Sequence, residues 1–178
     1  IDRSRGLGDV YKRQIINRVA NNGLVNFDLE AYYPKGQREL IDLKNWLFEG
    51  LILKEKNFRQ AVHDYDWSQH QNHYIAIDCS ADAIVPVWSY MLISNAISPY
   101  AKKVVKGNLK NLETLIFHEL INNLDINPFK NQRVIVKGCS NLPIPESAYV
   151  AITNKLRPVV KSIMYGEACS YVPIYKKK

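Results

Sequence analysis

Cysteine is scarce, at three residues in 178. So few, and an odd number, argue against a disulfide scaffold and lead us to expect reduced thiols in a cytoplasmic protein. Long apolar runs are missing too. The longest, around residues 83–97, is broken by Pro86, Ser89, Ser94 and Asn95. A membrane helix needs about 18 to 20 uninterrupted apolar residues, so no membrane partner is expected. There is no Gly-x-Gly-x-x-Gly and no Walker loop, which excludes the standard nucleotide sites. There is no Cys-x-x-Cys, the commonest spacing of zinc and redox motifs. Nor is there an Arg-rich helix. The formal charge is +7, or about +5 without residues 1–14, and it is spread over Lys102, Lys103, Lys106, Lys137, Lys161 and Lys176 to Lys178, which disfavours nucleic acid as a partner.

What is present is ordinary for a globular chain, at 47% hydrophobic and 23% charged residues. Residues 1–14 (IDRSRGLGDVYKRQ) resemble a translated sequencing-adapter scar and are set aside from fold reasoning. The native start is expected just before Ile15. Residues 15–178 then suit one α/β domain, with an N-terminal part at 15–66 and a strand–helix part at 74–175.

The pattern predicts a short element over residues 15–20 and a turn at Asn21-Asn22-Gly23. Residues 24–33 and 38–43 alternate apolar and polar side chains around Pro34-Lys35-Gly36-Gln37 and read as a β-hairpin. A helical stripe follows through Trp46, Leu47, Leu51, Leu53, Phe58 and Val62, broken at Gly50 and ending near Tyr65. Residues 66–73 look like a polar loop, and His70-x-x-His73 reads as its solvated pair. Short β-branched runs then appear at 74–79 (YIAIDC), 102–107 (KKVVKG), 133–138 (RVIVKG) and 162–166 (SIMYG). Stretches of helical length lie between them at 82–98, 108–124 and 146–156. Asp82 or Ser80 can cap the first helix and Asn108 the second, while Pro145 opens the third and Pro158 stops it. Alternation of this kind implies βαβ units and a mainly parallel, doubly wound sheet of four strands. The lysine-rich strand suits an edge, giving the flavodoxin-like order 2-1-3-4. No internal repeat beyond these units is read. The three tryptophans are assigned to core and rim.

In that order Cys79, Cys139 and Cys169 end neighbouring strands, each followed by a serine, Ser80, Ser140 and Ser170. Adjacent strands are about 4.8 Å apart, so the thiols are expected to converge on zinc or an iron–sulfur cluster. Asp82 and Glu167 are the carboxylates placed to join them. Cys79, just before a helix, is the candidate nucleophile should the chemistry be sulfur transfer. The third reading is a non-catalytic interaction module with buried cysteines. Gly107-Asn108 and Gly138-Cys139-Ser140-Asn141, each between a strand and a helix, are candidate anion-binding turns.

Several long motifs carry a resemblance. They include NRVANNGLVNFDLEAYYP (17–34), IDLKNWLFEGLILKEKNFR (41–59), CSADAIVPVWSYML (79–92), PYAKKVV (99–105), VKGCS (136–140), PESAY (145–149) and GEACSYVPIYK (166–176). With these the chain resembles a bacterial family known as domain of unknown function 2480, from about Ile15 onward. The family has no assigned activity. Its members look like neighbours of sulfur-mobilisation genes. The resemblance therefore implies an accessory protein of iron–sulfur metabolism, partnered by cluster-assembly proteins, in which the three cysteines hold a metal or a transient cluster.

Overall fold

A computed structural model describes residues 23–138 and 140–178. Residues 1–14, read above as resembling a scar, the element expected at 15–20, Asn21 and Asn22 of the expected turn, and Cys139 lie outside the described residues. The chain is α/β and falls into two compact units, unit 1 (Ile1–Pro34 with Thr114–Lys178) and unit 2 (Lys35–Glu113). In sequence, unit 2 is inserted within unit 1. Among the described residues no helix is long and apolar enough to cross a membrane.

Unit 2 has strands β2 (Arg38–Asp42), β3 (Tyr74–Asp78) and β4 (Lys103–Lys106) in an all-parallel sheet, with β3 central. Helix α1 (Glu55–Asp64) precedes β3, and α2 (Val87–Ile97) crosses from β3 to β4. Its core gathers Ile41, Leu43, Phe58, Val62, Trp67, Ile75, Ile77, Ile93 and Ile97. Unit 1 has β1 (Leu24–Phe27), β5 (Arg133–Val136), β6 (Ser162–Glu167) and β7 (Ser170–Lys176), in the order β1-β5-β6-β7. The first three are parallel and β7 is antiparallel, so this is the expected mainly parallel four-stranded sheet with different members. Helix α4 (Glu146–Leu156) crosses from β5 to β6. Helix α3 (Leu109–Asn122) starts in unit 2 and ends in unit 1. Asn108 and Asn111 cap its start by exchanging backbone-to-side-chain hydrogen bonds of 3.0 Å.

Three expectations need correction. The order 2-1-3-4 holds for β4 beside β3 and for β5 beside β6, but β3 and β5 are not neighbours; each takes an N-terminal strand instead. The hairpin of residues 24–43 does not form. Asp28 accepts a bond from Glu30 N and caps a 3-10 turn, Leu29–Tyr32, which ends β1 early. Both strands are left to run parallel to later ones. The helix expected from Asp82 starts at Val87, because Pro86 occupies the N-cap position and cannot sit deeper in a helix.

The fourth correction concerns repetition. Residues 55–107 and 114–166 carry the same elements in the same order at one constant offset, that between Pro86 and Pro145. Phe58, Asp66, Asn72, Ile93, Pro99 and Gly107 recur as Phe117, Asp125, Asn131, Ile152, Pro158 and Gly166. Asp66 accepts from Ser68 N, and Asp125 from Asn127 N, each at 3.0 Å. Asn72 and Asn131 are both left-handed, with φ of 63° and 57°. Their N–H groups donate to Tyr100 O and to its counterpart, Val159 O. Ser89, Ile93 and Ile97 are buried on α2, and Ala148, Ile152 and Leu156 on α4. Each repeat also has a first strand closed by a capping aspartate, Asp42 or Asp28. The spacing is shared while most side chains differ, so no long identical run betrays the repeat.

Candidate functional site

The carboxyl ends of the strands were the expected location. In unit 2, Cys79 follows β3 and is half-buried against that unit's core. Around it Ser80 donates to Asp42 through its backbone N–H (3.0 Å) and hydroxyl (2.6 Å). Lys106 pairs with Asp78 at 2.8 Å. That hydrogen bond lowers the Asp78 pKa and raises that of Lys106, so the lysine is held as a cation. Burial resists ionisation of Asp42, but the Ser80 bonds outweigh it and its pKa is lowered. Asp82 is exposed and caps nothing.

In unit 1, Glu30 accepts from Leu142 N (2.8 Å), from Ser140 Oγ (2.9 Å) and from Asn141 N. These bonds lower its pKa, the Leu142 bond most. Lys137 pairs with Asp28 at 2.9 Å. Cys169 lies exposed in the turn between β6 and β7. Glu167 ends β6 opposite Ser170, which opens β7. The sequence does not reveal the hairpin because β7 contains Pro173, tolerated on an edge strand, and shows no clean alternation.

The convergence of thiols is therefore overturned. Cys79 belongs to the β2-β3-β4 sheet and Cys169 to a hairpin of the other sheet. Among the described residues no cysteine joins any group of three ligand-type side chains. The three-cysteine zinc or cluster site, and the iron–sulfur accessory function built on it, do not stand.

The group that does assemble is Glu39, His70 and His73, at the opposite, amino edge of the unit 2 sheet. Glu39 is the second residue of β2. His70 closes a 3-10 turn, Trp67–His70, and His73 immediately precedes β3. Glu39 Oε2 accepts from His70 Nδ1 at 2.8 Å and from His73 Nδ1 at 3.1 Å. One potential ligand atom from each residue lies within 4.8 Å of the other two. His70 is only 1% exposed, so it is not part of a solvated loop. Its ring stacks on Tyr65, and its Nε2 takes a 3.1 Å hydrogen bond from the Tyr65 hydroxyl. Partial burial of Glu39 opposes its ionisation, yet the bonds and charges of the two histidines prevail and its pKa is lowered. The signal in the sequence was His70-x-x-His73; its third member, Glu39, lies far back in the chain and joins only through the β2–β3 register. The repeat supplies a control, since the equivalent positions in unit 1 are Val25, Phe129 and Gln132. Val25 and Phe129 are buried apolar residues there, so the fold does not need a polar triad.

Fold and site together define an internally repeated α/β protein in which one repeat carries a Glu-His-His cluster. The chain belongs to the family described as protein of unknown function (DUF2480), whose model matches residues 13–177. No curated protein and no solved structure matches it.

Proposed function

We propose that this is a metal-binding protein whose unit 2 holds one divalent ion of the zinc class at Glu39, His70 and His73. The observation that carries the reading is the approach of three ligand-type atoms from separate elements around a buried imidazole. Imidazole and carboxylate suit zinc, nickel and copper. Tetrahedral ligands about 2.0–2.1 Å from zinc stand roughly 3.3 Å apart. The present Oε2 to Nδ1 distances of 2.8 and 3.1 Å need open by only a few tenths of an ångström. Binding through Nδ1 would require each imidazole to be neutral with its proton moved to Nε2, so solvent protons compete with the ion for these nitrogens. The Tyr65 hydroxyl would then accept from His70 Nε2–H and fix the ring, the usual support for a ligating histidine. Three protein ligands leave one position for water or a substrate atom. Cys79 and Cys169 are free, in keeping with the cytoplasmic setting we propose for this function.

The test is metal titration of the untagged chain, read by calorimetry with Zn2+ and by visible absorption with Co2+. One ion per chain is expected. The variants are His70→Phe and His73→Gln, the residues the other repeat uses at these positions. They should abolish binding while the circular dichroism stays native. A chain that takes up no stoichiometric ion, or variants that bind as the wild type does, would overturn the reading.

A further inference from the structure

We infer that unit 2 has a second site, independent of the metal reading: an aromatic cleft that binds a small planar nitrogen heterocycle of purine size. The cleft is about 490 Å³ and lies between α1, α2 and the turn that follows α1. Trp67, Tyr65 and Tyr100 line it. Trp67 is a buried core residue whose Nε1–H is spent on Val62 O at 2.8 Å, so it forms a fixed floor, while Tyr65 and Tyr100 are only half-buried. Tyr65 is held through its hydroxyl by His70 and by its ring against Trp67, 4.4 Å between centroids.

The other repeat shows what the fold does there by default. Tyr65, Trp67 and Tyr100 correspond to Leu124, Ile126 and Val159, aliphatic residues packed on the unit 1 core. Ala96 corresponds to Lys155, whose Nζ reaches across to Asn122 O at 2.8 Å, the counterpart of His63. In unit 1, then, a lysine from one helix bridges to the end of the helix opposite. In unit 2 the methyl group of Ala96 leaves that space open, and three aromatic residues line it. Three aromatic side chains together with one small residue are not what backbone packing alone requires.

The chemistry of the lining selects the ligand class. A lining of aromatic rings favours a flat π-system over a saturated one. The Asn95 amide offers a donor and an acceptor, which a heterocycle can meet along one edge. Asp66 uses Oδ1 to hold Ser68, which leaves Oδ2 as an acceptor for an exocyclic or ring N–H. Arg59 at the rim is paired with Glu55 at 2.9 Å, so no strong preference for an anion is built in, and an uncharged nucleoside suffices. A saturated ring of equal size would gain burial but neither stacking nor the polar edge.

Equilibrium dialysis of the full chain against adenosine and guanosine, followed in parallel by tryptophan fluorescence, tests this. At least one of the two should bind saturably, one per chain, and cyclohexanol should not compete. Ala96→Lys, which installs the bridging residue of unit 1, should weaken binding by at least about tenfold. Tyr100→Val, the other unit 1 residue, should do the same and keeps the test decisive if the lysine variant does not fold. His73→Gln, which leaves the His70–Tyr65 contact in place, should still bind, which separates failure of this site from failure of the metal site. Absence of saturable binding by both nucleosides, or wild-type affinity in a folded Ala96→Lys or Tyr100→Val chain, would overturn the inference.

Discussion

At the amino edge of its sheet unit 2 places Glu39, His70 and His73, where unit 1 places Val25, Phe129 and Gln132. Between its helices it places Ala96 and Trp67, where unit 1 has Lys155 and Ile126. The frames are otherwise alike, down to two left-handed asparagines and two aspartates that each accept from a 3-10 turn N–H. The comparison separates what the fold demands from what has been added to it. A buried imidazole is costly unless its nitrogens are satisfied, and His70 has both engaged. Phe129 fills the same position with apolar contacts alone, its ring 5.5 Å from that of Phe27 and edge-on. Stability could have been had more simply, and so we assign the polar triad to function rather than to folding.

The comparison can be broken most severely through the shared core. Ile93 and Ile152 are both fully buried at equivalent places. Replacing either with alanine should cost about 2–5 kcal/mol, read by chemical denaturation. Similar losses would show that the two repeats rely on the same contact, and unequal ones would show that it has been reweighted since they diverged. A smaller effect is expected at the two aspartates that lead into the 3-10 turns. Asp66→Ala and Asp125→Ala each remove a side chain that accepts from a turn N–H and should each cost about 0.5–2 kcal/mol.

Acid tests the polar triad. The folded-state pKa of Glu39 is lowered, so its ionised form adds stability that is present above the unfolded-state value. That stability is lost as pH falls below the ordinary glutamate range and through the lowered folded-state value. Glu39→Gln should flatten the corresponding part of a stability profile taken from about pH 6 to pH 3. A profile as steep as the wild type's would place the acid sensitivity elsewhere. The smallest effect is expected at the carboxyl edge. Lys106 is 59% exposed where it pairs with Asp78, and Lys106→Met should change stability by less than about 1 kcal/mol. A larger loss, measured in the same denaturation assay, would show that this edge carries more of unit 2 than its exposure suggests.

Local patterns were legible along the chain. The crossover helix Glu146–Leu156 stands where Pro145 and Pro158 bracket it, and the β-branched runs became β3, β4, β5 and β6. Proline and β-branching act on their own backbone, so their effect travels no further than the segment that holds them. Edge and centre could also be read, since β4 with its lysines is an edge strand and β3 and β5 are central. The site was much less legible. Equivalent strand ends were taken to be neighbours, and the cysteines were joined through that assumption. The sheets part between β3 and β5, and with them the thiols.

By itself, then, the sequence determined the α/β class, the βαβ crossovers and most element boundaries, because these follow from periodicity, capping and steric limits within short stretches. The tertiary structure decided which strand lies beside which, that the chain repeats itself, and that Glu39 meets two histidines more than thirty residues away. Those outcomes depend on which buried faces satisfy one another across long loops. Closing such loops costs little more with added length, so separation along the chain leaves the choice of partner open.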